Sequence, residues 1–181
     1  DRMEARRARA DTHGRSERRQ DRGGKRKFVR KPERYQPRRW AVVDELNFLG
    51  MLPAIYFVFS RNGCDEAVEQ CLNAGLRLTT DEEALHIRKI VDEMIEGQLT
   101  REDLKTLHFS QFRYALEEGF AAHHAGMIAL FKQIVERLFE EGLIKCVFAT
   151  ETLALGINMP ARSVVVEKLE KYNGTGIVPL T

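Results

Sequence analysis

Four short apolar segments constrain the fold of this 181-residue chain most strongly. Each is rich in β-branched or aromatic residues, and helical patterns separate one from the next. Strands with continuous rather than alternating apolar residues are typical of parallel sheets that are covered by helices on both faces. The sequence therefore predicts an α/β fold with three layers and a mostly parallel sheet. The predicted strands are residues 53–59, 120–123, 144–149 and 163–167.

Capping residues mark the predicted helices between these strands. Ser60 or Asn62 can cap the helix that follows the first strand. Thr79 and Thr80 are each followed three residues later by glutamate, which predicts a helix start and a helix that continues to about Gly97. The apolar stripe predicted for that helix is Leu85, Ile87, Ile90, Val91 and Met94. A further helix is predicted from near Met127 to Gly142.

The first 40 residues differ sharply in composition from the rest of the chain. They contain 16 Lys and Arg against 6 Asp and Glu and lack any sustained apolar periodicity, which predicts a flexible, disordered basic arm. Such an arm could bind the phosphates of a nucleic acid, with Phe28, Tyr35 and Trp40 available for stacking on bases. It could equally be a solvated linker, and the sequence leaves both interpretations open.

Composition also bears on the cellular location. No apolar run approaches the roughly 20 residues that a membrane helix needs, and the arginine-rich start lacks the apolar core of a signal peptide. The spacing of Cys64, Cys71 and Cys146 matches no zinc pattern, so we expect them to be reduced and buried. These features predict a cytoplasmic protein with no membrane partner.

Polar residues follow three of the predicted strands. Parallel strands bring their carboxyl ends to one edge of the sheet, where ligands bind, so we expect Ser60–Arg61, His123–Gly126 and Thr150–Glu151 to share one rim. Each group also has a purely structural interpretation. Thr150 and Glu151 could cap a short helix, Gly126 could be a turn glycine, and His123 could be a packing residue. Adjacent histidines on a strand point to opposite faces, which argues against a shared metal site.

Three motifs carry a family resemblance: "PAIYFVFSR", "GFAAHHAGM" and "FATETLALGINMPA" occur in this order. They resemble the second RecA-like domain of superfamily-two helicases, in the superkiller-type DExH branch, and are most similar to the actinobacterial HelY-type proteins. The resemblance covers about residues 48–176, and residues 76–119 match a helical insertion typical of that branch. It implies a RecA-like domain over residues 40–181, preceded by a basic interdomain linker over residues 1–39.

The resemblance also implies roles for individual residues. Thr150 is similar to the motif V residue that binds a backbone phosphate. Gly126 would let a nucleic-acid chain approach the start of the helix near Met127, where the backbone amides and the helix dipole favour a phosphate. The other residues implied in nucleic-acid binding are Glu151, His124, Ser60 and Arg61. Gly156 and Asn158 are similar to motif V residues that line the nucleotide side of the interdomain cleft.

The functional expectation is a fragment of an ATP-dependent RNA or DNA helicase that grips a single strand. The chain has no phosphate loop, and the family's motif VI, with its arginine finger, is expected to follow Thr181. We therefore expect no catalytic residue or metal site here, and no ATPase activity from the chain alone. ATP and Mg²⁺ would be held mainly by the first RecA-like domain of the same parent chain. The alternative is a non-enzymatic nucleic-acid-binding module driven by the arginine-rich arm.

Overall fold

A computed structural model describes residues 38–150, 161–167, 170–172 and 177–179. Residues 1–37 of the predicted basic linker, which spans residues 1–39, lie outside these ranges. The helices and strands, numbered in chain order, are α1 Arg39–Phe48, β1 Ala54–Phe57, α2 Arg61–Asn73, α3 Asp81–Ile95, α4 Arg101–Thr106, α5 Phe109–Glu117, β2 Phe120–His123, α6 Ala129–Glu140, β3 Cys146–Ala149, β4 Ser163–Val166, β5 Glu170–Tyr172 and β6 Ile177–Pro179.

The first four strands form one parallel sheet in the order β2-β3-β1-β4. All four residues of β3 are buried, as expected for a strand that is covered on both faces. The strands β5 and β6 pair with each other in antiparallel fashion as a separate two-stranded sheet. The predicted mostly parallel sheet is therefore confirmed.

Helices cover both faces of the parallel sheet. Residues from β1, β2 and β3 pack on one face against apolar residues of α3, α5 and α6, with Ile134 and Leu138 of α6 fully buried. On the other face, Tyr56 and Phe148 pack against α2 and against Val43 of α1. The alternation of strand side chains between two cores gives the three-layer α/β/α arrangement that the sequence predicts.

The predicted insertion over residues 76–119 folds as α3, α4 and α5. Thr80 and Glu83 form a capping box at the start of α3, as the sequence predicts, and Thr100 and Asp103 form another at the start of α4. Apolar residues of α3 and α5 belong to the same core cluster as the sheet. The insertion is therefore an integral part of this domain's core.

Three expectations are corrected in detail. Leu85 is 69% exposed, because it lies on the solvent side of α3 rather than in its apolar stripe. The helix predicted to begin near Met127 begins two residues later, at Ala129, because the Met127 N–H donates to the carbonyl of His124 in a turn. Val164 and Val166 are exposed, because β4 is an edge strand with one face uncovered by the described residues.

The three cysteines are free and buried, as predicted. Burial raises the pKa values of the Cys64 and Cys71 thiols to about 12, and that of Cys146 well above its ordinary value. None of the described helices is long and apolar enough to cross a membrane.

An ion pair ties the insertion to the start of β3. Lys145 Nζ lies 2.8 Å from Glu83 Oε2 and donates to the carbonyl of Gly142 at 2.7 Å. Burial alone would raise the pKa of Glu83, but the hydrogen bonds from Lys145 and from the Thr80 backbone N–H hold that pKa below its ordinary value. Ionised Glu83 therefore stabilises the junction between the insertion and the sheet.

Replacing Glu83 with glutamine should lower the free energy of unfolding at pH 7 by up to about 1 kcal/mol, since the pair is partly exposed. The pKa of Glu83 is lowered by folding, so its contribution is present above the unfolded pKa of about 4.3 and disappears as the pH falls through the folded value. Urea unfolding at pH 7 and at pH 3 measures this change. Glu82→Gln, at the exposed neighbouring position, is the control. If Glu83→Gln lowered the free energy of unfolding by the same amount at both pH values, ionised Glu83 would not be the source of the stabilisation.

Candidate nucleic-acid interface

The strand register aligns the carboxyl ends of the parallel strands. Phe57 of β1 is opposite Ala149 of β3, and Ala149 is opposite His123 of β2. The polar segments that follow these three residues therefore begin at the same edge of the sheet. Ser60, Arg61, His124, Gly126 and Thr150 all belong to these segments. Glu151, Gly156 and Asn158 lie outside the described residues.

Ser60 and Arg61 form the start of α2. Ser60 has an extended backbone, and its Oγ accepts a hydrogen bond of 2.9 Å from the N–H of Gly63, so its hydroxyl caps the helix. Arg61 is the first helical residue and is exposed. Among the described residues, no carboxylate lies within ion-pair distance of its guanidinium. Within that part of the chain, the charge of Arg61 is unpaired and exposed.

A bidentate ion pair holds the same helix start against the end of β4. Arg39 donates from Nε and from a terminal nitrogen to the two carboxylate oxygens of Glu167, each at 3.1 Å. Its other terminal nitrogen donates to the carbonyl of Gly63 at 3.3 Å. Because Arg39 neutralises Glu167, this carboxylate adds little repulsion toward a phosphate at the rim.

Gly63 has no room for a side chain. A Cβ at this position would lie 2.5 Å from Ser60 Oγ and 2.7 Å from Val58 Cγ1. The glycine therefore lets the first turn of α2 pack directly against the end of β1.

Gly63→Ala should destabilise the domain by about 1–3 kcal/mol, because the added methyl group overpacks this junction. The sign is informative, since alanine normally stabilises a helix interior relative to glycine by roughly 0.5–1 kcal/mol. Chemical denaturation compares this variant with Asn62→Ala, the adjacent exposed position, which should change stability by less than about 0.5 kcal/mol. A stabilised Gly63→Ala variant would show that the junction has more space than the structure indicates.

The two adjacent histidines contact opposite layers, as predicted. His123 Nε2 lies 2.9 Å from Glu136 Oε1 of α6, whereas His124 Nε2 lies 3.0 Å from Asp65 Oδ1 of α2. Both imidazoles are buried. Within the described part of the chain, no group of three His, Cys, Asp or Glu side chains is arranged to hold a metal ion.

Gly126 and Thr150 are the remaining described candidates. Gly126 is exposed, and its N–H donates to His124 Nδ1 at 3.1 Å. A Cβ on Gly126 would lie 3.0 Å from that nitrogen and 3.4 Å from Cδ of Arg61, so the ring and the arginine stem occupy the space beside it. Thr150 follows β3 in a bend and is half-buried, and its hydroxyl makes no hydrogen bond to another described residue.

A groove of about 680 Å³ lies between α2, α5 and β2, which is one of the two edge strands of the described parallel sheet. His124 and Gly126 line the groove, together with apolar residues such as Leu72 and Phe112. Its largely apolar lining differs from the exposed polar rim. The rim is therefore the more suitable surface for a phosphate backbone.

Asp65 was not among the predicted site residues, and neither was the ion pair of Arg39 with Glu167. The sequence spacing could have indicated Asp65 as a site residue. It lies four residues after Arg61, which places both side chains on one face of α2. Arg39 and Glu167 are 128 residues apart, and no local pattern indicates their pairing.

Comparison with curated proteins supplies the family. Over 145 residues, or 80% of this chain, the sequence is 54% identical to a probable helicase HelY of Mycobacterium tuberculosis. It is 42% identical over 134 residues to the DExH-box ATP-dependent RNA helicase DExH15, chloroplastic, of Arabidopsis thaliana, and 34% identical over 140 residues to the antiviral helicase SKI2 of Saccharomyces cerevisiae. The chain belongs to the superkiller-type DExH-box helicases.

The chain spans only a small part of these relatives. The match covers 16% of the Mycobacterium tuberculosis protein, 10% of the Arabidopsis protein and 11% of the yeast protein. No family model matches the chain. The α/β architecture with its parallel sheet is that of a RecA-like domain, as the family membership leads one to expect.

Proposed function

We propose that this chain is the strand-gripping part of an ATP-dependent helicase. One single strand of RNA or DNA would bind across the carboxyl ends of β1, β2 and β3. Two observations together support this proposal most directly. The polar segments Ser60–Arg61, His124–Gly126 and Thr150 follow strand ends that are aligned, and the chain belongs to a helicase family.

The distribution of charge at the rim supports this proposal. Glu167 is paired with Arg39 and Asp65 accepts from His124, while Arg61 has no carboxylate partner among the described residues. The hydroxyl of Thr150 adds a neutral donor that suits phosphate oxygens. Several such contacts must act together, since an exposed contact at a helix N-terminus contributes only about 0.3–1 kcal/mol.

The second part of the proposal concerns the nucleotide. Gly156 and Asn158 would form one wall of the interdomain ATP cleft, opposite the first RecA-like domain of the parent chain. The family resemblance supports this assignment, and the names of the relatives fit it, since the Arabidopsis relative is called an ATP-dependent helicase. ATP and Mg²⁺ would be held mainly by the first domain.

We further propose a cytoplasmic location for the parent protein. The three buried, unpaired thiols support it, because reducing compartments keep cysteines in this state.

Thr150→Ala should weaken the binding of single strands by about two- to twelve-fold, because one neutral hydrogen bond contributes roughly 0.5–1.5 kcal/mol. Thr150→Ser keeps the hydroxyl and should bind like the wild type. Fluorescence anisotropy with labelled single-stranded RNA and DNA oligonucleotides, at fixed salt, measures both affinities.

The same preparations also test the structural alternative. If Thr150 only caps a helix, the alanine variant should lose about 1 kcal/mol of stability with its affinity unchanged. Binding that resides entirely in the basic arm would likewise leave the Thr150→Ala affinity equal to that of the wild type. Either outcome would overturn the proposed phosphate contact.

A further inference from the structure

The hydrogen bonds around His124 define its tautomer. Nδ1 accepts from the N–H of Gly126 at 3.1 Å, so that nitrogen carries no proton. The proton of the neutral ring is therefore on Nε2, which donates to Asp65 Oδ1 at 3.0 Å. Both ring nitrogens are engaged within the protein, and the side chain is only 8% exposed. The imidazole has no nitrogen left to bind a nucleic acid directly.

His124 instead joins two segments that carry candidate phosphate contacts. Asp65 lies one turn after Arg61 on α2, and Gly126 lies in the loop between β2 and α6. The ring occupies the space where a Cβ of residue 126 would be, and the stem of Arg61 closes the other side. A shift of the ring would therefore move the loop relative to Arg61.

We propose that His124 and Asp65 are positioning residues, which hold the loop that contains Gly126 next to the side chain of Arg61, in the arrangement that binds a phosphate. The inference rests on the proposed function, because it specifies how that rim is organised. Asp65 acts through His124 by accepting a hydrogen bond from its Nε2–H.

Asp65 allows the positioning role to be separated from simple electrostatics. Its side chain is 61% exposed, so substitutions there leave the core intact. Asp65→Asn removes the charge but keeps an oxygen that can accept from Nε2, whereas Asp65→Ala removes both. If Asp65 only repels phosphates, both variants should bind single strands more tightly than the wild type, and to a similar degree.

The positioning inference predicts a different pair of results. Asp65→Asn should bind as well as the wild type or better, while Asp65→Ala should lose about two- to twelve-fold in affinity, as expected when one hydrogen bond is removed. Anisotropy titrations with single-stranded RNA and DNA measure both variants. Equal affinities of the asparagine and alanine variants would overturn the inference.

NMR supplies a readout that does not depend on nucleic acid. Long-range ¹H–¹⁵N spectra of the 181-residue chain should show the Nε2-protonated tautomer of His124, and the amide of Gly126 should be protected from hydrogen exchange. Protection should persist in Asp65→Asn and decrease in Asp65→Ala. A His124 protonated on Nδ1, or equal Gly126 exchange in the two variants, would overturn the positioning role.

The proposed function and the positioning role of His124 can be overturned separately. A wild-type chain that binds neither RNA nor DNA would overturn the proposed function, whatever the NMR spectra show. A wild-type chain that binds, together with Asp65 variants that do not differ, would overturn the positioning inference and leave the proposed function in place.

Discussion

The parallel pairing of β3 with β1 and β2 determines where the candidate residues lie. Because Phe57, Ala149 and His123 are in register, the three segments that follow them start at one edge of the sheet. This pairing depends on β3 being apolar throughout, since the strand is buried on both faces. A one-residue shift would turn its side chains to the opposite faces and displace Thr150 from the rim.

Polar interactions between distant segments hold the rim together. Arg39 ties the end of β4 to the first turn of α2 through Glu167 and the Gly63 carbonyl. The hydrogen bonds of His124 tie that same helix to the loop after β2. Within the described ranges, Glu167 is paired with Arg39, and no ion pair of the Arg61 guanidinium is observed.

Periodicity and capping patterns were sufficient to predict the layers, the positions of the four parallel strands and the approximate helix boundaries, because each depends on neighbouring residues, whereas β5 and β6 were not predicted. The exposure of individual side chains was harder to predict from the sequence. Leu85 fits the apolar spacing of α3 but faces solvent, and Val164 and Val166 are exposed because they lie on an edge strand. The partners of Arg39 and His124 depend on tertiary packing between segments that are far apart in the sequence. His124, which the sequence predicts to bind nucleic acid, has both ring nitrogens occupied by Asp65 and Gly126 within the protein.

The central claim is that a single strand binds at the carboxyl rim of the parallel sheet. Titrating the ¹⁵N-labelled 181-residue chain with a single-stranded oligonucleotide, and following every backbone amide by NMR, tests it most directly. The largest shift changes should occur at residues 60–63, 124–127 and 150. Changes confined to residues 1–37, or to the exposed side of α3, would contradict it.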